Sequence, residues 1–470
     1  MNPQIRSVHF IGICGTAMAS VAVAMQERGF EVTGSDNNVY PPMSDFLQSR
    51  GIAAVQGFSG ENLAHHPDLV VIGNAISRGN AEAEFVLEQR MRYCSLPEAL
   101  RNYFIQGRRS LVVAGTHGKT TTTSLLAWIF EHSGRNPGFL IGGIPENFGQ
   151  GARFTDSEWF IIEGDEYDTA FFDKRSKFIH YLPEVVIMNN LEFDHADIFE
   201  NLQAVKTSFQ RLAALVPRNG LALWNGDDAN LQTLKWFSPQ QSFGLAESNS
   251  LTAVERRYDG GGSTFQIRAA GGHDSVPLHL GLAGELNVRN ALAAAACARH
   301  CGISDSEIQS AFSTFRGVKR RMEVRGEKHG VTVVDDFGHH PTAIHETVRA
   351  LRVRFPERRV WAVFEPRSNT TRRRVLQAEL TSALGSADMV VVAQVARMEQ
   401  IAAHERLSPE QLIVDLIALG RNAAYLPDVD SIVRHVALHA RRGDVVCVFS
   451  NGGFGGIHRK LLEAVAIQGP

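Results

Sequence analysis

The segment from Leu111 to Thr123 constrains the fold of this chain most, because an apolar run there ends in a glycine loop, G-T-H-G-K-T, at 115–120. A helical pattern of apolar residues follows, so the layout is strand, loop and helix. Such a loop binds polyphosphate, because its glycines let backbone N–H groups approach the phosphates and the helix N-terminus adds partial positive charge. We expect Lys119 to reach the β- and γ-phosphates and the Thr120 hydroxyl to ligate Mg²⁺. The general motif has four residues between its glycines and this loop has two, which narrows the class of nucleotide-binding protein.

Length and composition limit the possible classes of protein. A chain of 470 residues is too long for one ordinary core, so two or three domains are expected. A formal net charge of −3 gives no nucleic-acid-binding footprint, and no apolar run reaches the ~18 residues that would span a bilayer. The first strand begins so early that a signal peptide has no room. We therefore expect a cytoplasmic protein that binds neither nucleic acid nor membrane.

The cysteine pattern agrees with a reducing compartment. The chain has 5 cysteines, an odd number, scattered through apolar segments, and this predicts reduced thiols. Cys297 and Cys301 are one helical turn apart and could hold a metal ion, but no second pair accompanies them. Burial as small hydrophobic side chains is therefore favoured for these two residues.

Alternating apolar runs and helical patterns predict an α/β protein with three domains. Residues 1–107 are predicted to form an N-terminal Rossmann-like domain. Residues 108–315 are predicted to form a central domain with a parallel sheet of the P-loop ATPase type and a β-rich edge. Residues 316–470 are predicted to form a C-terminal Rossmann-like domain.

Several elements within these domains are predicted more closely. Residues 16–28 have helical periodicity, and residues 106–109 are predicted to be a linker. Residues 242–280 are predicted to form the β-rich edge, and a long Ala-rich helix is predicted from Asn287 to about His300. The main strands predicted in the C-terminal domain are 331–334, 359–364, 389–392 and 445–449.

Another glycine loop follows the first apolar run, from Gly12 to Thr16. It departs from the dinucleotide pattern G-x-G-x-x-G, because Cys14 and Ala17 stand where glycines are expected. A glycine turn between a strand and a helix can still bind an anion, and Asp36 ends the next strand, where a ribose-binding acid is expected. The loop is therefore either a nucleotide site or a tight packing turn beside an exposed acid.

Acidic residues follow two further strands of the central domain, at Glu163–Asp168 and at Glu192–His195. The first group has four carboxylates, which form either a solvated turn or a site whose charge a cation such as Mg²⁺ compensates. His195 ligates a metal, donates to phosphate, or belongs to a capped surface turn. Because the carboxyl ends of neighbouring parallel strands share one sheet edge, the phosphate loop and both acidic groups are expected to line one crevice.

Polar loops also follow three strands of the C-terminal domain, at Asp335–Pro341, Glu365–Arg372 and Ser450–Gly456. Basic residues precede them at the domain junction, namely Arg316, Lys319, Arg320 and Arg321. Each segment alone could be a packing turn or a solvated charge run. Together they predict a second crevice edge rich in groups that bind carboxylate and phosphate.

With these motifs the chain resembles the Mur ligases, the ATP-dependent amide-forming enzymes of peptidoglycan synthesis, over nearly its whole length. The loop at 115–121 is specific to this family and its folylpolyglutamate synthetase relatives. The other matching motifs are D-E-x-D at 165–168, E-x-D-H at 192–195, N-x-x-N-A-L-A-A at 287–294, the pair Arg320-Arg321, and D-D-[FY]-G-H-H-P at 335–341. A folylpolyglutamate-type ligase is less favoured, because it has no Rossmann-like domain before the phosphate loop.

The resemblance implies ATP and Mg²⁺ as cofactors, bound where the central and C-terminal domains meet. It implies catalytic roles for Lys119, Glu166 and His195. It also implies two Mg²⁺ ions, one held by Thr120 and the second by Glu166 together with His195. The residues that it implies for ATP binding are Gly115, Thr116, His117, Gly118, Lys119, Thr120, Thr121, Asn290, Arg321, Asp336, His339 and His340. Gln210 stands where many members carry a carbamylated lysine, so that feature is not carried over.

The resemblance also implies that the first domain binds UDP-N-acetylmuramate. The residues implied are Gly12, Cys14, Gly15, Thr16, Ser35, Asp36, Asn74 and Ala75. The muramyl carboxylate would attack the γ-phosphate of ATP, and an amine would then attack the acyl phosphate. Closure of the third domain is expected to complete the site, because ATP spans two domains.

The amine substrate is predicted from three segments, at 12–16, 163–178 and 364–370. They are more similar to family members that attach the tripeptide L-alanyl-γ-D-glutamyl-meso-diaminopimelate than to members that attach L-alanine. The latter usually carry A-D-E-S-D and F-Q-P-H-R segments instead. Arg367, Ser368 and Asn369 are then expected to bind the peptide carboxylates.

Two alternatives stay open. One is a UDP-N-acetylmuramate–L-alanine ligase, and the other is a non-catalytic switch that uses ATP to drive domain closure. The crowded acids beside Lys119 and Thr120 argue against the switch. The expected partners are the small molecules UDP-N-acetylmuramate, ATP and the tripeptide, and the expected state is a monomer or weak homodimer.

Overall fold

The computed structural model of the chain describes residues 5–272 and 274–465. In these residues most strands belong to three large sheets, and helices cover the sheet faces. Each large sheet with its helices forms one domain, called here the first, central and third domain. The predicted three-domain α/β class is confirmed.

The first domain has a five-stranded parallel sheet in the order β3-β2-β1-β4-β5. Strand β4 is wholly buried, as expected of a strand covered by helices on both faces. The elements are β1 Ser7–Ile11, α1 Thr16–Glu27, β2 Glu31–Asp36, α2 Met43–Ser49, β3 Ala54–Gln56, β4 Leu69–Ile72, α3 Ala81–Glu88, β5 Tyr93–Ser95 and α4 Leu96–Leu100.

The central domain contains a ten-stranded sheet in the order β17-β16-β15-β14-β13-β12-β6-β9-β7-β8. Strands β10 and β11 form a separate antiparallel pair. The strands are β6 Arg109–Ala114, β7 Gly138–Leu140, β8 Ala152–Arg153, β9 Trp159–Glu163, β10 Asp168–Ala170, β11 Asp173–Ser176, β12 Pro183–Met188, β13 Leu221–Asn225, β14 Gln240–Gly244, β15 Leu251–Asp259, β16 Gly262–Ala269 and β17 Leu278–Leu280. The helices are α5 Lys119–His132, α6 Leu202–Ala213, α7 Glu285–His300 and α8 Asp305–Thr314.

Two predictions for the central domain are confirmed. Strands β15, β16 and β17 pair antiparallel and form the β-rich edge. The Ala-rich helix is α7, which begins at Glu285 rather than Asn287. Its fully buried alanines allow it to pack closely against α5, so both helices share one hydrophobic core.

The third domain has a six-stranded sheet in the order β18-β19-β23-β20-β21-β22, parallel except for β18. Its strands are β18 Glu323–Lys328, β19 Val331–Asp336, β20 Val360–Phe364, β21 Met389–Val392, β22 Asn422–Tyr425 and β23 Val445–Phe449. Its helices are α9 Pro341–Arg354, α10 Gln377–Leu384, α11 Pro409–Ala418, α12 Val429–His439 and α13 Ile457–Val465.

The linker predicted at 106–109 is one residue too long at its end, because Arg109 is the first residue of β6. The Arg109 guanidinium pairs with Glu184 and lies 4.0 Å from the centre of the Trp159 ring. These contacts and the pairing of Arg109 with Trp159 in the sheet hold it in the central domain.

All five cysteines are free thiols; Cys297 is buried on α7, and Cys301 is buried directly after its last residue. Across residues 5–272 and 274–465, no helix combines the length and the apolar character needed to cross a bilayer.

Sheet order explains where polar loops meet. Strand β6 lies between β12 and β9, so the phosphate loop after β6 is flanked by the acidic segments that follow those two strands. In the third domain β19, β23 and β20 are neighbours in the same way. The polar loops predicted to form two crevice edges therefore emerge from adjacent strands.

Candidate active site

The phosphate loop is held against helix α7. Gly118 has φ +79° and caps the N-terminus of α5. A Cβ atom at this position would lie 2.6 Å from Asn290 Oδ1, so both the conformation and the space require glycine. Asn290 in turn accepts a hydrogen bond from Thr122 Oγ1 at 3.1 Å. The predicted nucleotide residue Asn290 thus lies directly beside the loop.

The loop backbone is held by a residue without a predicted role. Asn190 Oδ1 accepts a hydrogen bond from the His117 N–H at 2.9 Å, and Asn190 Nδ2 donates to the His117 carbonyl at 3.0 Å. An asparagine directly after an apolar strand was the only sequence signal for this contact. It fixes the loop relative to the end of β12.

Lys119 lies among carboxylates at the base of the crevice. Its Nζ donates to both Glu166 oxygens, at 3.0 and 2.8 Å. Burial alone would lower the pKa of Lys119, but the negative charges of Glu166, Asp165 and Glu163 outweigh burial and raise it. The ammonium group therefore stays charged at neutral pH.

His195 contacts the same carboxylate. Its Nε2 lies 2.8 Å from Glu166 Oε1, and its ring centre lies 4.1 Å from that of Tyr167. Burial opposes a charged imidazole, but the Glu166 carboxylate outweighs it and raises the pKa of His195. The structure thus brings Lys119, Glu166 and His195 into one cluster, called here the catalytic cluster.

A second carboxylate, that of Glu163, contacts Thr120. The Thr120 hydroxyl donates to Glu163 Oε1 at 3.0 Å and accepts from Arg321 at 3.0 Å. Glu163 Oε2 also accepts the backbone N–H of Gly142 at 2.7 Å. Burial raises the pKa of Glu163 although Lys119 acts in the opposite direction. The sequence placed Glu163 in the acidic group but gave it no role, and its contact with Thr120 depends on the pairing of β6 with β9.

The donors around this point suit a hard divalent cation. One hydroxyl, two carboxylates and one imidazole lie beside the phosphate loop, on Thr120, Glu163, Glu166 and His195; Glu166 is buried and Glu163 is half-buried. Mg²⁺ prefers oxygen ligands and takes one or two carboxylates together with phosphate oxygens. These carboxylates also carry charge that such an ion would compensate. The residues present therefore fit Mg²⁺.

A cavity extends from the loop between α7 and the third domain. It includes seven of the residues predicted to bind ATP: His117, Gly118, Thr120, Thr121, Asn290, Arg321 and Asp336. Its apolar wall includes Leu282, Ala283, Leu286, Val318 and Met322, for which the sequence analysis gave no signal. Asp336 accepts backbone N–H groups of Gly338 at 2.7 Å and Met322 at 2.8 Å, and burial raises its pKa. Its carboxylate therefore orders the chain at the cavity wall.

The two neighbouring histidines of the third domain point to different partners, and the cavity lining contains neither. His340 stacks on His117 with ring centres 5.8 Å apart. His339 Nε2 lies 3.6 Å from Asp194 Oδ2. His339 and His195 lower the pKa of Asp194 well below its usual range, although burial opposes this. His340 thus contacts the phosphate loop, and His339 contacts the loop after β12.

The third domain makes further polar contacts with the loop after β12. Thr342 Oγ1 donates to Glu192 Oε2 at 2.6 Å, and Thr370 Oγ1 donates to Asp194 Oδ1 at 2.6 Å. These contacts close the crevice on the side of the phosphate loop.

The residues predicted to bind peptide lie at the other edge of the crevice. Asn369 Nδ2 donates to Asp197 Oδ2 at 2.6 Å and lies 3.4 Å from the Tyr167 hydroxyl. Arg367 is 40% exposed and lies 3.5 Å from Glu365. Ser368 and Thr371 share a hydrogen bond of 2.8 Å. The structure thus brings Asn369 beside the acidic segment of the central domain and leaves part of Arg367 accessible.

The glycine loop of the first domain has different surroundings. The Cys14 N–H donates to Asp36 Oδ2 at 3.0 Å. The residues on its exposed rim are Gly15, Thr16, Asn74 and Ala75, from loops after the adjacent strands β1 and β4. Ser35 is fully buried and its hydroxyl donates to Glu82, so this side chain faces the interior. The Ser35 carbonyl oxygen accepts the N–H groups of Gly12 and Ile13 at 2.8 and 3.0 Å, so Ser35 supports the loop instead of facing a ligand.

Three family models match consecutive parts of the chain. The Mur ligase family catalytic domain matches residues 7–107, the Mur ligase middle domain matches 113–298, and the Mur ligase glutamate ligase domain matches 320–452. Among curated relatives, the UDP-N-acetylmuramate–L-alanyl-γ-D-glutamyl-meso-2,6-diaminoheptandioate ligase of Escherichia coli is 44% identical over 98% of both chains. The UDP-N-acetylmuramate–L-alanine ligase of Desulfitobacterium hafniense is 32% identical over 97% of this chain and 99% of the relative.

A solved structure gives the same result. The murein peptide ligase of Psychrobacter arcticus is 36% identical, covers 99% of this chain and 100% of its own, and superposes with a TM-score of 0.73. The resemblance inferred from the motifs is thereby confirmed. The chain belongs to the Mur ligase family.

Proposed function

We propose that this chain is an ATP-dependent ligase that joins UDP-N-acetylmuramate to the tripeptide L-alanyl-γ-D-glutamyl-meso-diaminopimelate through an acyl phosphate. The observation that carries this proposal is the catalytic cluster beside the phosphate loop, in a crevice that the third domain covers. The choice of tripeptide is supported by the 44% identity to the Escherichia coli ligase of that name. The proposed domain boundaries are 1–107, 108–315 and 316–470.

The proposed reaction needs positioning and charge neutralisation rather than a covalent protein group. The muramyl carboxylate attacks the γ-phosphate and ADP leaves. The amine of the L-alanyl end then attacks the acyl carbon, loses a proton and expels phosphate. Lys119 stabilises negative charge on the transferred phosphoryl group, and its raised pKa keeps it cationic for that role.

Mg²⁺ would be held by Thr120, Glu166 and His195, with Glu163 as a further carboxylate beside Thr120. When bound, the ion supplies positive charge to the phosphates of ATP. The phosphates and the ion compete with the pairing of Lys119 and Glu166, so this pair rearranges when nucleotide binds.

ATP is proposed to occupy the cavity between the phosphate loop, α7 and the third domain. The apolar side chains of Leu282, Leu286 and Met322 suit a purine ring, since ligand pockets combine apolar walls with a few placed polar groups. Arg321 donates to Thr120 and so lies beside the loop that binds phosphate. His117 contributes to the same cavity.

The two remaining substrates are assigned to the two outer edges. UDP-N-acetylmuramate is proposed to bind at Gly12, Cys14, Gly15, Thr16, Asp36, Asn74 and Ala75, with Asp36 accepting from a ribose hydroxyl. The peptide carboxylates are proposed to bind at Arg367, Ser368 and Asn369, because a partly exposed guanidinium binds carboxylates well. A cytoplasmic monomer or weak homodimer with small-molecule partners is proposed.

The test is ligation of UDP-N-acetylmuramate with the tripeptide against free L-alanine, read by mass spectrometry of the products. We expect the tripeptide product to dominate at equal amine concentrations. A preference for L-alanine would favour the alternative that the 32% identical L-alanine ligase suggests. Phosphate release measured with and without amine separates a ligase from a nucleotide switch, because a ligase releases phosphate with amide formation.

A further inference from the structure

Two histidines and a glutamate converge where the third domain meets the central domain. They are His117 in the phosphate loop, Glu192 after β12 and His340 before α9. One ligand atom of each lies within 4.8 Å of the other two. Their side chains are 11%, 28% and 8% exposed. This group, called here the interdomain triad, is separate from Lys119, Glu166 and His195.

The ring nitrogens of His340 have different surroundings. Its Nε2 lies 3.3 Å from the carbonyl oxygen of Phe193, which accepts the N–H of that nitrogen. In a neutral ring Nδ1 then carries a lone pair. This buried atom has no hydrogen-bond partner in the described structure and lies 3.4 Å from Glu192 Oε2. A lone pair that faces a carboxylate oxygen is unfavourable, and either a proton on Nδ1 or a metal cation between the two atoms removes the repulsion.

His117 presents a second imidazole to the same carboxylate. Its Nε2 lies 3.6 Å from Glu192 Oε1. Burial of the His117 ring lowers its pKa well below its usual range. The neutral ring is the form that ligates a metal. Asn190 holds the His117 backbone on both sides, so the ring is already positioned.

We propose that His117, Glu192 and His340 bind one divalent transition-metal ion of the Zn²⁺ class. Zn–N and Zn–O bonds of about 2.0–2.2 Å in a tetrahedron place ligand atoms about 3.4 Å apart. His340 Nδ1 lies 3.4 Å from one Glu192 oxygen, and His117 Nε2 lies 3.6 Å from the other. Two imidazoles with one carboxylate suit Zn²⁺ and its neighbours better than Mg²⁺. Thr342 donates to Glu192 and orients the carboxylate.

The position of the triad gives the ion a consequence for the enzyme. His117 and Glu192 belong to the central domain, whereas His340 belongs to the third. An ion ligated by all three binds only while the domains are together, so it favours the closed arrangement over the open one. The site is therefore a clamp between the two domains that hold ATP, and it does not depend on which amine is the substrate.

The experiment uses the full chain without nucleotide and Co²⁺ as a spectroscopic probe. We expect the visible absorption bands of one tetrahedral Co²⁺ site per chain, which Zn²⁺ abolishes by displacement and excess Mg²⁺ does not. His340→Gln should weaken Co²⁺ binding at least as much as the ~10- to 100-fold that loss of an outer contact to a metal ligand costs. His339→Gln is the matched control, because His339 is adjacent and faces Asp194 instead.

Two further variants keep the test decisive. His195→Gln alters the other histidine site and should leave the Co²⁺ spectrum unchanged. Glu192→Gln keeps both imidazoles and nearly the same shape, and should also lose binding. Thermal unfolding of the metal-free variants checks that each one folds. Equal Co²⁺ affinity in wild type and His340→Gln, or loss in His195→Gln alone, would overturn the proposal whether or not ligation activity is found.

Discussion

Two loops of this protein share a design but differ in the charges around them. Each places glycines between a parallel strand and a helix, at 12–16 in the first domain and at 115–120 in the central domain. In the first, a loop N–H is already bonded to the carboxylate of Asp36. In the second, Lys119 lies within the loop region and is balanced by Glu166.

The difference shows what a glycine loop does and does not specify. The loop allows a ligand to approach the backbone, which both loops permit. The side chains of neighbouring strands decide which ligand is favourable. A carboxylate beside the first loop suits hydroxyl groups, whereas a lysine beside acids that could hold a cation suits a polyphosphate.

Two glutamates, one in each of these domains, have pKa values that are shifted in opposite directions. Glu82 in the first domain is opposed by burial, but hydrogen bonds from His9, Ser35 and Asn62 lower its pKa. Burial dominates at Glu163 and raises its pKa. In the first domain, hydrogen bonds from neighbouring side chains therefore stabilise the ionised Glu82 carboxylate. In the central domain, the ionised Glu163 carboxylate would be stabilised by a bound cation.

Removing the charge of the central loop should have the largest effect. In Lys119→Ala we expect the fold to persist and kcat/KM for ligation to fall by at least ~10²–10³, the cost of losing one group that stabilises transition-state charge. Steady-state ligation and thermal unfolding measure the two quantities. Lys174→Ala is the matched control, because Lys174 pairs with Asp168 on the surface. A kcat/KM for ligation within tenfold of wild type in Lys119→Ala would contradict the proposed role of Lys119.

Adding one methyl group to each loop tests whether both are equally crowded. Gly118→Ala places Cβ 2.6 Å from Asn290 Oδ1, whereas the nearest atom in Gly12→Ala is Ile76 Cδ1 at 3.6 Å. Both residues have positive φ, so both variants pay about 1–2 kcal/mol in backbone strain. We expect only Gly118→Ala to lose ATP binding by more than tenfold beyond that cost. Calorimetric titration with ATP measures the affinity of each variant. Equal losses of ATP affinity in both variants would contradict the expected difference between the loops.

The Mg²⁺ concentration that ligation requires should depend on the residues around the central loop. In His195→Ala we expect half-maximal ligation to need roughly tenfold more Mg²⁺, in line with loss of a metal contact. A Mg²⁺ titration of the ligation rate measures this. His404→Ala is the control, since that side chain is 83% exposed. An unchanged titration would make His195 a structural residue.

A weaker effect is expected at the first loop. Asp36→Asn retains an oxygen that can accept the Cys14 N–H but removes the charge. We expect KM for UDP-N-acetylmuramate to rise about tenfold, as for loss of a charge-assisted hydrogen bond, with kcat and the KM for ATP unchanged. If the KM for ATP rises instead, the proposal that Asp36 binds UDP-N-acetylmuramate is wrong.

The smallest effects concern the two glutamates. The pKa of Glu82 is lowered in the fold, so its contribution to stability is present above its unfolded pKa and is lost as pH falls through the folded pKa. The raised pKa of Glu163 means that its ionisation costs stability once pH rises above the unfolded pKa. One pKa unit corresponds to about 1.4 kcal/mol.

We therefore expect Glu82→Gln to destabilise the protein at pH 7, and Glu163→Gln to stabilise it there without nucleotide or metal. Both differences should shrink near pH 4. Denaturant unfolding at the two pH values measures the free energies of unfolding. The same sign for both variants at pH 7 would contradict the comparison.

Much of the site could be predicted because its signals are local. The phosphate loop, the acids that follow strands and the Ala-rich helix are patterns within a few neighbouring residues, and the positions of Lys119, Glu166 and His195 follow from sheet edges. The direction in which a side chain points could not be predicted as well. The Ser35 hydroxyl faces the interior, because the register of β2 turns it toward Glu82.

The sequence by itself determined the α/β class, the family and the loops that carry chemistry, because strand and helix periods and short motifs are written along the chain. Only the tertiary structure decided that Glu163 serves Thr120, that His340 stacks on His117 while His339 faces Asp194, and that Asn190 holds the phosphate loop. These contacts join side chains far apart in sequence. Their distances depend on sheet order and on how the third domain packs, which no local pattern encodes.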